Sequence, residues 1–399
     1  MPGQVAAVHR RLRSSPGIDP GRHLLRRPTR QPFRNGVTQL YHLPPDGPMN
    51  SPRITVLMTV YNGLPYIAAA VESILSQTFT DFEFLIINDG SLDDSMAAVA
   101  KYPDDRIRVV DNPENIGQTR SLNRGLQLAR GELIARLDQD DIALPERLEK
   151  QVAFADANPQ VAALGTAATI IDEQGIEIGS APVLTSERTI RWGLLFHNVL
   201  SHPSVMFRRS IVLDEYGGYD ENIVISQDFD LWSRIAEHHA LGNLPEPLIA
   251  NRYYPDSTSR RSMATCQAES NSVVEANQRR ILGTDNPLWR AVAVAQNSYT
   301  KSPDYGGNDM LRAFDEMQAC FAERFPGTDD DEEMTRFNGL LMLKMADIYA
   351  RDRGASLEAF RRAKAWHPKH LGKHNVMRLF GLWLGGNEVR ELWRMLSAK

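Results

Sequence analysis

The chain has little cysteine. Cys266 and Cys320 are its only two, and neither stands in a CxxC or metal-ligand spacing. A disulfide scaffold and a cysteine-rich zinc site are therefore excluded. No apolar run approaches the ~20 residues needed to span a bilayer, and the first residues lack the hydrophobic stretch of a signal peptide. The expectation is a cytoplasmic protein, with peripheral contact at the inner face of the membrane left open. Positive charge is not in excess either: 45 Lys and Arg stand against 50 Asp and Glu, a formal net charge of -5. Without a global basic field, no nucleic-acid partner is expected. Two nucleotide signatures are also missing. No G-x-G-x-x-G follows the first strand and no G-x-x-x-x-G-K-[ST] occurs, which removes a Rossmann dehydrogenase and a P-loop enzyme.

What is present is the composition of a globular protein, 42% hydrophobic and 24% charged, in 399 residues that suit two or three domains. Residues 1–50 carry Arg10, Arg11, Arg13, Arg22, Arg26, Arg27, Arg30 and Arg34 among Pro and Gly, with almost no apolar period. Such a segment cannot repay its ordering entropy and reads as a disordered extension. A basic arm for anionic lipid or RNA is the functional alternative. The abrupt change after Met49 makes that residue a candidate start.

From residue 53, β-branched runs alternate with amphipathic stretches. The runs are Ile54 to Val60, Phe82 to Asn88, Ile107 to Asp111 and Leu133 to Leu137; helices are expected over 64–76, 93–101 and 117–130. Strand then helix, repeated, predicts a mainly parallel sheet covered on both faces, with ligands at the carboxyl ends of the strands. After Asp141 a helix opening at Pro145, a strand over 161–171, a long loop, a strand over 204–207, a helix over 228–238 and an extended stretch to Tyr254 are expected. Beyond residue 262 the pattern is almost wholly helical. The expected division is an extension (1–50), an α/β domain (51–261) and a helical domain (262–399).

The strongest chemical signal is Leu137-Asp138-Gln139-Asp140-Asp141, directly after an apolar strand. Crowded carboxylates cost stability unless a cation or donors meet them. Asp138 and Asp140, spaced to share one side of an extended segment, suit a hard ion such as Mn²⁺ or Mg²⁺ that keeps waters and phosphate oxygens. Acidic loops and helix caps are the common alternative. Two more polar clusters fall at strand ends: Thr59-Val60-Tyr61-Asn62 and Asn88-Asp89-Gly90-Ser91. The second is a turn in which Gly90 supplies the flexibility, which leaves Asp89 free to accept a nucleobase N–H.

Together with Asn115-Ile116-Gly117, Asn123, Gly125, Gly131-Glu132, His202-Pro203-Ser204 and Gln227-Asp228 with Leu231 and Arg234, these stretches resemble the family 2 glycosyltransferases of GT-A fold. The resemblance runs from Ile54 to about Ser259. It implies a Rossmann-like three-layer α/β/α sandwich with a mixed, mainly parallel sheet, followed here by an all-helical region. It also implies transfer of a sugar, with inversion, from a nucleoside diphosphate donor of UDP type to a hydroxyl of a polysaccharide, lipid-linked glycan or protein, as in cell-envelope polysaccharide synthesis. By resemblance Val60, Tyr61 and Asp89 lie at the base, Asp138 and Gln139 meet the ribose side or metal waters, and Asp140 ligates Mn²⁺ or Mg²⁺. Asp228 is implied as the general base, Arg120 as a diphosphate contact and His202 as a structural or acceptor-side histidine. Asn123 is expected to hold backbone, and Asp141 to cap the next helix.

A carboxylate holding a cation accepts protons poorly, so a separate base is needed. The family's usual Glu-Asp pair is Gln227-Asp228 here, and Tyr254 stands where the family often has histidine. Tyrosine is a poor ligand for these ions at neutral pH. Those departures keep a non-catalytic glycan- or partner-binding module as an alternative, with a sugar nucleotidyltransferase behind it. Near the C-terminus, Leu379, Leu382, Trp383, Val389, Leu392, Trp393 and Leu396 form an apolar stripe read as packing, with a membrane surface as the other option.

Overall fold

A computed structural model of the chain describes residues 51–255, 257–327 and 331–366. The extension over 1–50 and the stripe over 379–396 lie outside the described residues. Strand and helix alternate as β1 (Ile54–Val60), α1 (Ile67–Leu75), β2 (Phe82–Asn88), α2 (Ser95–Val99), β3 (Ile107–Asp111), α3 (Gln118–Leu128) and β4 (Leu133–Arg136). The bounds of β1, β2 and β3 are those expected from their β-branched runs. There follow β5 (Ile142–Ala143), α4 (Arg147–Ala157), β6 (Val161–Ile171), β7 (Glu177–Ala181), α5 (Glu187–Gly193), β8 (Met206–Arg208), α6 (Gln227–Ile235) and β9 (Ala240–Arg252). The stretch read as one long loop holds β7 and α5. Almost all of β7 is exposed, so it has no apolar period to betray it. The remaining elements are helices: α7 (Thr258–Arg261), α8 (Met263–Asn277), α9 (Pro287–Ser298), α10 (Gly307–Arg324), α11 (Glu332–Ile348) and α12 (Arg353–Trp366).

The sheet order is β3-β2-β1-β4-β8-β6-β9-β5, with β7 on β6. β1 pairs in parallel with β2 and β4, β2 with β3, and β6 with β9. β8 lies antiparallel between β4 and β6, and β5 and β7 are antiparallel additions. The layers follow from the two-residue period of a strand. Ile54, Val56, Met58, Phe82, Phe84 and Ile86 pack with Ile67, Val71 and Ile74 of α1 and Leu148 of α4. Leu57, Leu85 and Ile87 face the other way, into a cluster with Leu122 and Leu126 of α3. Burial on both faces explains why every residue of β1 and β2 is buried.

That second cluster continues without a break into the helices after residue 262. The indole of Trp192 (α5) sits 5.7 Å from the Phe314 ring and 5.0 Å from that of Phe321, and donates to Asn338 Oδ1 at 2.7 Å. The Glu333 carboxylate accepts from the backbone of Thr185 (2.8 Å) and Ser186 (2.9 Å). Among the described residues, no helix is long and apolar enough to cross a membrane.

The start of β4 passes very close to β1. A Cβ on Gly131 would lie 2.3 Å from Thr55 N and 2.5 Å from Ile54 C, and backbone cannot yield. The Gly131 N–H donates to Thr55 Oγ1 (2.9 Å), whose hydroxyl donates to buried Glu83 (2.7 Å). Gly131→Ala should therefore cost about 1–3 kcal/mol by forcing β4 away from β1. Denaturant unfolding with an unchanged m value is the measurement that checks it.

Candidate active site

The strand ends of β1, β2 and β4 meet at the first turn of α3. After β2, Gly90 (φ +71°) turns the chain where a Cβ would stand 2.8 Å from the backbone of Glu114 and Asn115, so only glycine fits. The turn presents buried Asp89 to the segment before α3. Asp89 Oδ1 accepts from Asn112 Nδ2 (2.7 Å) and Ile116 N (2.9 Å), and Oδ2 from Gly117 N (3.0 Å). β1 ends at Val60, whose buried side chain leaves only its carbonyl to act: it accepts from Asp89 N at 2.7 Å. Half-exposed Tyr61 follows. Its backbone N–H and C=O are both held by the Gln139 amide, at 2.9 and 3.2 Å.

The acidic loop after β4 is a turn at Gln139 and Asp140, not an extended segment, and its carboxylates take different partners. Asp138 Oδ1 pairs with Arg136 and also accepts from Gln118 Nε2 at 3.4 Å. Asp140 Oδ2 accepts from the Tyr254 hydroxyl at 2.8 Å. Asp141 does not cap α4: its buried carboxylate accepts from Asn251 Nδ2 (2.9 Å) and Arg252 N (2.7 Å), which ties the loop to β9. A cap would use the helix that follows, whereas the partners Asp141 takes are more than a hundred residues away, on β9. Burial and then the Asp138 charge raise the Asp140 pKa, and burial raises that of Asp141 further.

Two fully buried guanidinium groups stand behind this loop. Arg136 reaches Asp138 and the Leu137 carbonyl, and Arg147 donates to the Arg136 carbonyl at 2.6 Å. Burial lowers the Arg147 pKa to about 9, with Asp141 working against the shift, so the group stays charged at neutral pH. Arg252 adds a third cation, donating through Nε to the Asp140 carbonyl at 3.0 Å. Sequence reasoning passed over all three. The readable signal was an arginine inside an otherwise apolar strand, one step ahead of the carboxylates.

On the opposite side, α6 begins with Gln227 and Asp228. Asp228 is buried, at 9% exposure, and among the described residues accepts from two neutral donors, Asn198 Nδ2 (2.7 Å) and Phe229 N (2.8 Å). Burial above all, with a contribution from Asp138, pushes its pKa up to about 6. Nearby Asp230 is a different case, paired with Arg234 (2.7 Å) and Arg280 (3.0 Å). Gln118, the first residue of α3, joins the two sides. It donates to Asp138 and accepts from Gln227 Nε2 at 3.3 Å. The segment 116–118 thus bonds Asp89, Asp138 and Gln227, the residue before Asp228, and Gln118 is a residue that sequence reasoning missed.

Arg120, Asn123 and His202 stand further out. Arg120 pairs with Glu221 at 3.5 Å, both side chains exposed. Asn123 holds backbone, as expected, exchanging hydrogen bonds of 2.9 Å with Tyr219 N and O. Buried His202 bonds the Tyr219 hydroxyl at 3.0 Å, and burial lowers its pKa to about 3, so it is neutral at any working pH.

The sequence model for glycosyl transferase family 2 matches residues 55–214, from β1 past the acidic loop. The putative glycosyltransferase EpsE of Bacillus subtilis is 33% identical over 269 residues, which are 63% of this chain and 95% of EpsE. The chain belongs to glycosyltransferase family 2. This family 2 chain is also 31% identical over 239 residues to the O-antigen biosynthesis glycosyltransferase WbnJ of Escherichia coli, covering 57% of it and 91% of WbnJ. Among solved structures, S. aureus TarS 1-349 in complex with UDP-GlcNAc aligns over 79% of this chain and 92% of that one, at 15% identity and a TM-score of 0.49. The mixed, mainly parallel sheet with helices on both faces is the GT-A fold, and the protein is a glycosyltransferase.

Asn123→Ala removes the bracket between α3 and the turn at Tyr219. It should lower stability by about 1–3 kcal/mol, since two backbone groups lose their partner. Urea unfolding of the variant against wild type tests this.

Proposed function

We propose that this glycosyltransferase moves a sugar from a nucleoside diphosphate, of UDP type, to a hydroxyl acceptor with inversion at the anomeric carbon. The acceptor hydroxyl oxygen bonds to the anomeric carbon while the bond from that carbon to the diphosphate oxygen breaks. The acceptor proton passes to the Asp228 carboxylate, and the nucleoside diphosphate leaves. The observation that carries this reading is the contrast between Asp138, paired with a buried cation, and Asp228, buried among neutral donors with its pKa pushed up to about 6, while Gln118 bonds Asp138 and the neighbour of Asp228, Gln227. A base poised close to the working pH suits proton removal, and one displacement needs one base.

Asp140 is the residue assigned to a divalent ion. Among the described residues, no three His, Cys, Asp or Glu side chains converge to hold one, so the protein alone offers an incomplete oxygen set. That fits an ion completed by diphosphate oxygens and water. The half-buried Asp140 carboxylate, destabilised by burial and by Asp138, would gain from a cation beside the Tyr254 hydroxyl that its Oδ2 already accepts. When bound, Mn²⁺ or Mg²⁺ supplies neutralisation of charge on the departing diphosphate. Asp89 Oδ2 accepts one N–H and keeps capacity for a base imide, and Tyr61, whose backbone Gln139 braces, is the other residue assigned to the base. Arg120 is the diphosphate contact if it releases Glu221, and His202 supports the acceptor side through Tyr219. WbnJ is named for O-antigen biosynthesis, which supports a polysaccharide or lipid-linked glycan as acceptor. The second reading, a glycan-binding module without turnover, draws on Gln227, whose Oε1 is buried with no partner where the family's glutamate would stand.

Asp228→Asn should reduce transfer by about 10²–10⁴-fold while leaving UDP affinity in place. Equal turnover by variant and wild type refutes the base assignment. In wild type the rate should climb as pH rises through about 6, the value to which burial brings Asp228. The stability sign is opposite. A carboxyl raised in the folded state favours folding below its unfolded pKa and loses that advantage as pH rises through its folded one. Asp228→Asn should therefore be more stable than wild type at pH 7, by up to about 3 kcal/mol, with no gain at pH 3. Thermal unfolding at the two pH values decides it. Asp140→Ala should abolish the tightening of UDP binding by Mn²⁺, measured by calorimetry with and without the ion. Binding of glycan but not of UDP with Mn²⁺ favours the module reading.

A further inference from the structure

The loop that feeds α6 is held by a helix beyond the family-matched segment. Glu269, in α8, gathers three successive backbone N–H groups. Its Oε1 accepts from Val224 (2.9 Å), and its Oε2 from Ile225 (2.8 Å) and Ser226 (2.9 Å). Successive N–H groups turned to one side form a concave, positively polarised nest that calls for an anion. Here the anion is a side chain of the same chain, and each bond is charge-assisted. Ser226 is bound to α8 as well: its hydroxyl meets Ser270 Oγ at 3.0 Å and the Cys266 carbonyl at 3.3 Å. That hydroxyl precedes α6 and would be its natural cap, yet it makes no capping bond to its own helix. The next two residues are Gln227 and Asp228. The hold continues along α6, where Asn277 donates to Ser233 Oγ at 2.9 Å and Arg280 pairs with Asp230 at 3.0 Å.

We propose that Glu269 is a positioning residue for the transfer reaction: by fixing the 224–226 backbone it sets where α6 begins, and with it the Asp228 carboxylate against the acceptor hydroxyl. The functional half of this rests on Asp228 being the base. Without the carboxylate, the three N–H groups turn toward water and the Ser226 peptide rotates. The displacement passes directly to Asp228, two residues on. Donor contacts at Asp89 and Asp140 come from other strands and are left as they were. The helical region is then part of the catalytic machinery, although both α6 and α8 lie outside residues 55–214.

The test uses the full chain with Glu269→Ala and Glu269→Gln, at a temperature where circular dichroism shows both folded. Hydrogen exchange of the 224–226 amides reads the clamp. Release of UDP or GDP from UDP-glucose, UDP-galactose, UDP-N-acetylglucosamine and GDP-mannose with Mn²⁺ reads its consequence. Exchange should accelerate in Glu269→Ala, and kcat should fall about 10- to 100-fold, the scale of a small misplacement of a reacting group. The KM for donor should stay within about twofold, a split that general loosening of the fold would not give. Glu269→Gln, which keeps an acceptor oxygen, should fall between. Unchanged exchange in Glu269→Ala overturns the clamp, and unchanged kcat with accelerated exchange overturns the positioning role. Asp228→Asn run in parallel separates the two ideas: if it keeps full turnover the base reading fails by itself, while exchange still decides the clamp.

Discussion

The first turn of α3 is the joint on which the site depends. Asp89 accepts the N–H groups of Ile116 and Gly117, and the side chain of the next residue, Gln118, bonds both Asp138 and Gln227. Three carboxylates from distant parts of the chain are thereby brought toward one region. Like charges so gathered need compensation. The free N–H groups and dipole at the start of a helix supply part of it at no cost in side-chain entropy. Any shift of α3 would move the base side, the acidic loop and the α6 side together.

Compensation is uneven, and the unevenness makes the chemistry. Behind the acidic loop stand Arg136, which pairs with Asp138, Arg147, which donates to the Arg136 carbonyl, and Arg252, which donates to the Asp140 carbonyl. Among the described residues Asp228 accepts from an amide and a backbone N–H, both neutral, and burial raises its pKa. On the reading proposed above, one carboxylate meets the leaving group and the other takes a proton. Nothing in the residue type distinguishes them; the difference lies in what each side chain finds beside it.

The helices after residue 262 are not an appendage to this arrangement. Trp192 of the α/β part packs against Phe314 and Phe321 in one continuous core, and Glu333 and Glu269 both return to hold loops of the catalytic part by their backbone N–H groups. Loops that carry function need rigid support, and a carboxylate that chelates successive amides provides it without covering the site.

Much of this was readable from the chain alone. The strands of the parallel half, their order with the helices and the acidic triplet at a strand end follow from short β-branched runs alternating with helical periods, while Asp228, the second residue of α6, was singled out with the help of the family resemblance. β7 was invisible, since an exposed edge strand has no apolar face to repeat. The separate partners of Asp138 and Asp140, the tie from Asp141 to β9, and the contacts of Gln118, Arg136 and Glu269 were decided only by tertiary structure. Each depends on a partner tens of residues or more away, or, for Arg136, on burial that no local pattern states. Sequence determined which groups are available to act. Folding determined which of them are charged, which are paired and which way they point, because desolvation and hydrogen bonding act through space and not along the chain.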